Sequence, residues 1–179
     1  FSAPTDLFDY LAEEIGILDF KSVRIVQEWK ARQDKFAVSG SYEVTLEEIW
    51  NRIECETGYP AGKGRNLEEE LEQRFCYANP VMQTVFKELQ RRKKTIIITS
   101  DMYLSEDFLE KLLAQNGYSG IQKLYISSEY TAGKSDGTIY EYVKEDFEKE
   151  KIIHIGDNEI SDITNAKKAG LAVFYYPNV

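Results

Sequence analysis

Four short apolar runs, each followed by a helix-like pattern, constrain this chain more than any other feature. Thr95–Ile98, Leu124–Ser127, Ile152–Ile155 and Leu171–Tyr175 are strand-length and rich in β-branched, aliphatic and aromatic residues. Between them lie helical faces: Phe108, Leu109, Leu112 and Leu113 ahead of Asn116-Gly117, then Ile139 to Phe147, then Ile160 to Ala169 ahead of Gly170. Runs without strict apolar–polar alternation, separated by helices, predict a parallel sheet covered on both faces. The expected fold class is therefore α/β, a parallel sheet whose ligand chemistry sits at the carboxyl ends of the strands.

The first half has a different period. Leu7, Leu11, Ile15 and Leu18 recur at three- and four-residue spacing, and so do Val23, Val26, Trp29 and Phe36. Thr45 and Glu48 form a capping box ahead of the stripe Leu46, Ile49, Trp50 and Ile53. Asn66 with Glu69 opens a fourth helix carrying Leu67, Leu71 and Phe75, and Gly58–Gly64 reads as a loop. Residues 5–78 are expected to form a bundle of four helices, and 79–179 to carry the alternating strands and helices. Asn79-Pro80 starts the second half with proline at the first helical position. The basic cluster Arg91–Lys94 at that helix's end suits its dipole.

Charge narrows the function classes. The 179 residues carry a formal net charge of −9, which disfavours nucleic acid and anionic membranes as partners. Cys55 and Cys76 form no CxxC pair, as suits a reducing, cytoplasmic compartment, and both read as core fillers on helices. No apolar run is long enough to cross a membrane, and no signal peptide is visible. The chain opens at Phe1 rather than methionine, so a segment upstream is expected.

Chemistry is sought at the strand ends. The first strand delivers Ser100-Asp101, a pair that either caps the next helix or offers a hydroxyl to a phosphate oxygen. The third delivers Gly156-Asp157, with Asp162 five residues on; these carboxylates either suit Mg²⁺ or cap the following helix. Lys134, in the loop Ala132–Gly137, can reach over the strand ends to neutralise a phosphate or remain solvated. Ser128–Ser135 is one glycine short of a phosphate-binding P-loop, but the 45 residues after Lys134 leave room for only two strands. His154, inside the third strand, reads as a satisfied core histidine.

Taken in order, an apolar strand with Ser100-Asp101, then Lys134 before a helix, then Gly156-Asp157 with Asp162 resembles the haloacid-dehalogenase-like hydrolase superfamily. Gly133–Tyr140 is similar to the lysine segment of its phosphatase branch, and Gly156–Asp162 followed by Ala166–Gly170 to its acidic metal segment. Ser100–Ser105 also resembles a bacterial branch found beside or fused to sugar-transfer enzymes, which implies a longer chain or such a neighbour. The resemblance implies an all-helical cap of residues 5–78 inserted into a Rossmann-like core of residues 1–4 and 79–179, and hydrolysis of a small phosphorylated substrate through an aspartyl-phosphate. It implies that Ser100 holds a phosphoryl oxygen beside Asp101 and that Lys134 offsets charge. Asp157 with Asp162 would bind Mg²⁺. Tyr103 and the Gly58–Gly64 loop are candidates for the cap–core cleft.

One part of the family pattern is missing. No Asp-x-Asp ends an apolar strand anywhere in the chain, and Asp6–Asp9 has the wrong spacing and a helical context. The nucleophilic Asp and the middle strand are therefore expected upstream of Phe1. A sheet lacking that strand should expose two edges and an apolar seam. The alternative reading is a non-catalytic domain of the same fold that binds a phospho-ligand or regulates. The near P-loop keeps nucleotide hydrolysis as a third.

Overall fold

The computed structural model describes residues 4–177. After a 3₁₀ turn at Pro4–Asp6 come four helices: α1 (Leu7–Ile15), α2 (Phe20–Ser39), α3 (Leu46–Thr57) and α4 (Ala61–Phe75). The capping box forms as read: Thr45 Oγ1 accepts the Glu48 N–H at 3.2 Å, and Glu48 Oε2 accepts the Thr45 N–H at 2.9 Å. The α3 stripe Leu46, Ile49, Trp50 and Ile53 is buried, as its spacing predicts.

On α2 the helix is present, but it turns a different face inward. Phe20, Arg24, Gln27 and Ala31 are buried, whereas Trp29 is 61% exposed and Val26 and Phe36 also face solvent. The inward stripe is polar because Arg24 meets Glu68 of α4. Its Nε and Nη2 donate to Glu68 Oε2 and Oε1 at 3.0 and 2.8 Å, and the Trp50 indole adds a third bond to Glu68 at 2.8 Å. Arg24 Nη1 donates to Glu28 at 2.8 Å. Charges can be buried only with this degree of pairing, since desolvating a lone ion costs several kcal/mol.

Two further expectations are corrected in this region. The segment read as a loop over Gly58–Gly64 enters α4 at Ala61, capped by Pro60. Gly64 serves close packing rather than turning: a Cβ there would lie 2.0 Å from the Trp50 ring. Cys55 and Cys76 are exposed rather than core fillers, Cys76 because it sits at the C-cap of α4.

The second half is α5 (Pro80–Arg91), β1 (Ile97–Ser100), α6 (Glu106–Gln115), β2 (Lys123–Ile126), α7 (Ser127–Tyr130), α8 (Ile139–Asp146) and β3 (Ile153–Gly156). A π-helical segment, Glu159–Asn165, then leads through α9 (Ala166–Lys168) to β4 (Ala172–Tyr175). Asn79 caps α5, its side chain accepting the N–H groups of Val81 and Met82 at 2.9 and 3.2 Å. All four expected strands are present, each shifted by one or two residues. The single helix expected over Ile160 to Ala169 is instead mostly π-helical.

The strands form two parallel pairs. β1 runs beside β2 with Ile97 opposite Lys123, and β3 beside β4 with Ile153 opposite Ala172. Among the described residues no strand joins the pairs. Ile96–Thr99 of the first pair and Ile152–Ile155 of the second instead line one cavity of about 600 Å³. Alternation along β2 feeds two apolar layers. Leu124 and Ile126 pack with α6 residues Phe108, Leu109 and Leu112 and with the helical bundle. Tyr125 packs on the opposite face with Ile139, Tyr140 and Val143 of α8. The fold is thus α/β with parallel strands, and β2 is covered on both faces.

Candidate active site

The carboxyl ends of β1 and β3 converge on Lys134. After α7, Thr131 adopts a left-handed backbone (φ 50°) and turns the chain back across the strand ends. The Lys134 N–H then donates to Asp101 Oδ1 at 2.8 Å, just past β1. Its Nζ donates to Asp162 Oδ1 at 2.7 Å, in the segment after β3. Asn165 fixes the loop from beneath, its amide donating to the carbonyls of Lys134 and Ser135 at 3.0 and 2.8 Å. One loop thus touches the carboxyl ends of both strands.

Asp162 can approach β3 only because residue 156 lacks a side chain: a Cβ on Gly156 would lie 2.4 Å from that of Asp162. Asp162 Oδ2 accepts the Asn158 N–H at 3.0 Å, and Oδ1 also lies 3.1 Å from His154 Nε2. Burial disfavours the Asp162 charge, but the bonds from Lys134, Asn158 and His154 outweigh it and hold the carboxyl below the usual carboxylate range. The Tyr140 hydroxyl donates to the Ser161 carbonyl at 2.9 Å and lies 3.3 Å from His154 Nε2. This network assigns the imidazole proton to Nε2. Burial pushes the His154 pKa down, partly countered by Asp162, so the ring is neutral near pH 7. His154 is a satisfied, half-buried histidine, as its place in the strand predicts, and one of the groups that orient Asp162.

The structure therefore brings Lys134, Asp101 and Asp162 together by direct hydrogen bonds. Ser100 lies at the end of β1, half-buried, next to that cluster in sequence. Asp157 stands exposed just past β3, with no hydrogen-bond or ion-pair partner among the described residues. Asn158 and Asn165 were not singled out from the sequence. Asn158 has a readable signal, an Asn two residues past a strand that caps the next turn. Asn165 has none, because its role depends on where a loop thirty residues earlier passes.

The loop after β1 is held from two sides. The Met102 N–H donates to Ser127 Oγ at 3.1 Å. The Tyr103 carbonyl accepts the Leu46 N–H at 2.7 Å from the first turn of α3. The Arg24 guanidinium lies 5.0 Å from the Tyr103 ring centre, a cation–π contact. Tyr103 is thus where the sheet region meets the bundle. Gly133 is close-packed too: a Cβ there would sit 2.8 Å from Glu43 of the bundle, so the loop carrying Lys134 also abuts the helices. No cluster of three metal-binding side chains occurs among the described residues. Asp157, open beside the engaged Asp162, fits a Mg²⁺ ion that keeps most of its water shell.

A family model for haloacid dehalogenase-like hydrolases matches residues 5–170. The chain belongs to that family. It is similar in fold to the hydrolase YfnB from Bacillus subtilis, at 16% identity and a TM-score of 0.64, over 94% of this chain and 78% of that one. YfnB is described as bound to magnesium and showing interdomain movement. The 2-haloacid dehalogenase of Pseudomonas syringae pv. tomato DC3000 gives 17% identity and a TM-score of 0.64, over 97% and 80% of the two chains. A family enzyme from Bacteroides thetaiotaomicron gives 16% and 0.59, over 95% and 82%. A comparison with curated proteins finds no match. No helix among the described residues is long and apolar enough to cross a membrane.

Proposed function

We propose that this chain forms the helical cap and most of the core of a Mg²⁺-dependent phosphohydrolase acting on a small phosphorylated substrate. Residues 5–78 are the cap, and the nucleophilic Asp is carried by a segment upstream of Phe1. The observation that carries the reading is Lys134, a half-buried ammonium held at the meeting point of two strand ends by Asp162. Phosphoryl transfer needs positioning and charge neutralisation more than covalent help from many groups.

Each residue then has a task. Ser100 donates its hydroxyl to a phosphoryl oxygen. Lys134 offsets charge on the transferring group, with its ammonium aimed by Asp162 and its backbone by Asp101. Asp157 is the open carboxylate for Mg²⁺, with Asp162 beside it. The bound ion would supply Lewis-acid neutralisation of the phosphoryl oxygens. The bundle, meeting the catalytic loops at Tyr103 and Gly133, would exclude water and select the leaving group. The acidic balance of the chain supports a small metabolite rather than a nucleic acid.

The test is Mg²⁺-dependent hydrolysis of para-nitrophenyl phosphate by the natural full-length protein. Lys134→Ala and Asp157→Asn should each lower kcat/KM by roughly 10²-fold or more while far-UV circular dichroism is unchanged. Full turnover in both variants overturns the reading. The absence of a strand-end Asp-x-Asp among these residues favours a second reading, a phospho-ligand binding domain. It gives inorganic phosphate binding that Lys134→Ala abolishes, without turnover in any form.

A further inference from the structure

The inward face of α2 carries two polar side chains that meet different fates. Arg24 is fully engaged by Glu68 and Glu28. Gln27, three residues on, is only 3% exposed, yet its carboxamide has no hydrogen-bond partner among the described residues. A buried amide left unpaired costs free energy, so such a group calls for a partner. Gln27 lines a cavity of about 300 Å³ whose other walls are Asn51, Arg52, Cys55 and Glu56 of α3.

A second unpaired group belongs to the same cavity. Arg52 Nη1 donates to Asp34, but Arg52 Nε is buried and has no partner among the described residues. Asn51 and Glu56 are exposed, and neither side chain has a hydrogen-bond or ion-pair partner among the described residues. Residues 51 and 55, like 52 and 56, are four apart, so α3 presents them along one side, flanking its apolar stripe. None of the five lining residues lies in the loops at the strand ends.

The inventory of groups selects the ligand. Arg52 Nε and the two carboxamide nitrogens donate, while the two carboxamide oxygens and the Glu56 carboxylate accept. One cation and one anion thus share the walls. A simple anion would pair with Arg52 and meet repulsion from Glu56, and a simple cation would meet the reverse. A zwitterion satisfies both through charge-assisted hydrogen bonds. The volume lies at the lower end of small-molecule sites, which run roughly 300–1,000 Å³.

We propose that this cavity binds a free α-amino acid with a short side chain. The ligand carboxylate accepts from Arg52 Nε and the Gln27 amide, and the ammonium donates to Glu56, with Asn51 at the rim. The site is built by α2 and α3 alone, so the inference goes beyond the phosphohydrolase reading and does not rest on it.

The test is calorimetric titration of the natural full-length protein with L-alanine and two analogues of its shape. L-lactate replaces the ammonium with a hydroxyl, and isopropylamine replaces the carboxylate with a methyl. Alanine should bind saturably, one per chain, and each analogue about tenfold more weakly or worse. Glu56→Gln, and Arg52→Lys, which keeps the charge but loses the Nε–H, should each weaken alanine about tenfold or more. Gln27→Leu should abolish binding with circular dichroism unchanged; if that variant does not fold, the exposed Glu56→Gln decides. Lys134→Ala should leave alanine binding intact. Absence of saturable binding would assign the unpaired groups to water and overturn the proposal. So would either analogue binding as tightly as alanine, or loss of binding in Lys134→Ala, which would place the alanine at the strand ends. Alanine binding by a protein that hydrolyses no phosphate ester would leave this site standing and remove the enzymatic reading.

Discussion

Glu68 of the helical bundle is wholly buried and receives hydrogen bonds from Arg24 and Trp50. Ile153 of β3, a residue whose sequence context marks it for a sheet interior, is 66% exposed. The bundle has closed around even its charges, while the sheet leaves open an apolar edge that it is built to cover. The difference is one of range. The bundle's buried charges find their partners within the bundle itself, Arg24 on α2 meeting Glu68 on α4 and Trp50 on α3 bonding the same carboxylate. A parallel sheet depends on each strand having neighbours on both sides, so a gap at one place leaves two edges open. Local consistency can finish a helical bundle, but it cannot finish a sheet.

The comparison can be tested from the closed side first. Glu68→Ala leaves Arg24 buried without its main counter-charge, and it should cost about 3–5 kcal/mol in urea denaturation. A loss under 1 kcal/mol would mean that the bundle interior admits water and is no more closed than the sheet. Thr45→Ala removes one half of the α3 capping box and should cost about 1 kcal/mol.

That second loss should depend on pH through Glu48. Burial works against the Glu48 charge, but bonds from Lys35 and from the Thr45 N–H outweigh it, so the folded pKa lies below the ordinary glutamate value. A group depressed in this way stabilises the fold above its unfolded pKa of about 4.3 and loses that contribution as pH falls through the folded value. Denaturation of Glu48→Gln and the parent chain should therefore differ at pH 7 and converge as the pH is taken below 4. A constant difference would remove the electrostatic part of the cap.

The smallest effect belongs to the open side. Ile153→Thr keeps β-branching at an exposed edge and should shift stability by no more than about 0.5 kcal/mol. A cost of several kcal/mol would show that the edge is covered in solution, and the contrast between the two regions would fail.

The sequence was most informative where structure is local or periodic. The four strands, the four bundle helices and the Thr45–Glu48 box all follow from spacing and capping chemistry. The face that α2 turns inward was not legible, because it depends on Arg24 finding Glu68 forty-four residues away. Apolar spacing pointed instead to Trp29. Gly64 read as a loop residue because only the Trp50 ring, supplied by another helix, explains a glycine inside α4. At the site, Lys134 and Asp162 could be nominated separately from their places after strands. Their 2.7 Å bond, and the second tie from Lys134 to Asp101, depend on how the Thr131 turn lays the loop across both strand ends. The cavity between the two strand pairs could be expected from the absence of a strand ending in Asp-x-Asp, whereas its apolar walls from α5 and α8 could not.

Leu46 gives the contact between bundle and sheet a further property. The first turn of any helix has N–H groups with no partner inside the helix. The Leu46 N–H is one of these, and its acceptor, the Tyr103 carbonyl, belongs to the loop just past β1. The end of α3 is therefore finished by a different part of the molecule. Any rotation that lifts the bundle from the strand ends must strip that donor and expose a single amide to solvent. The chain carries its own gauge of opening at one backbone position, readable without labels or ligands.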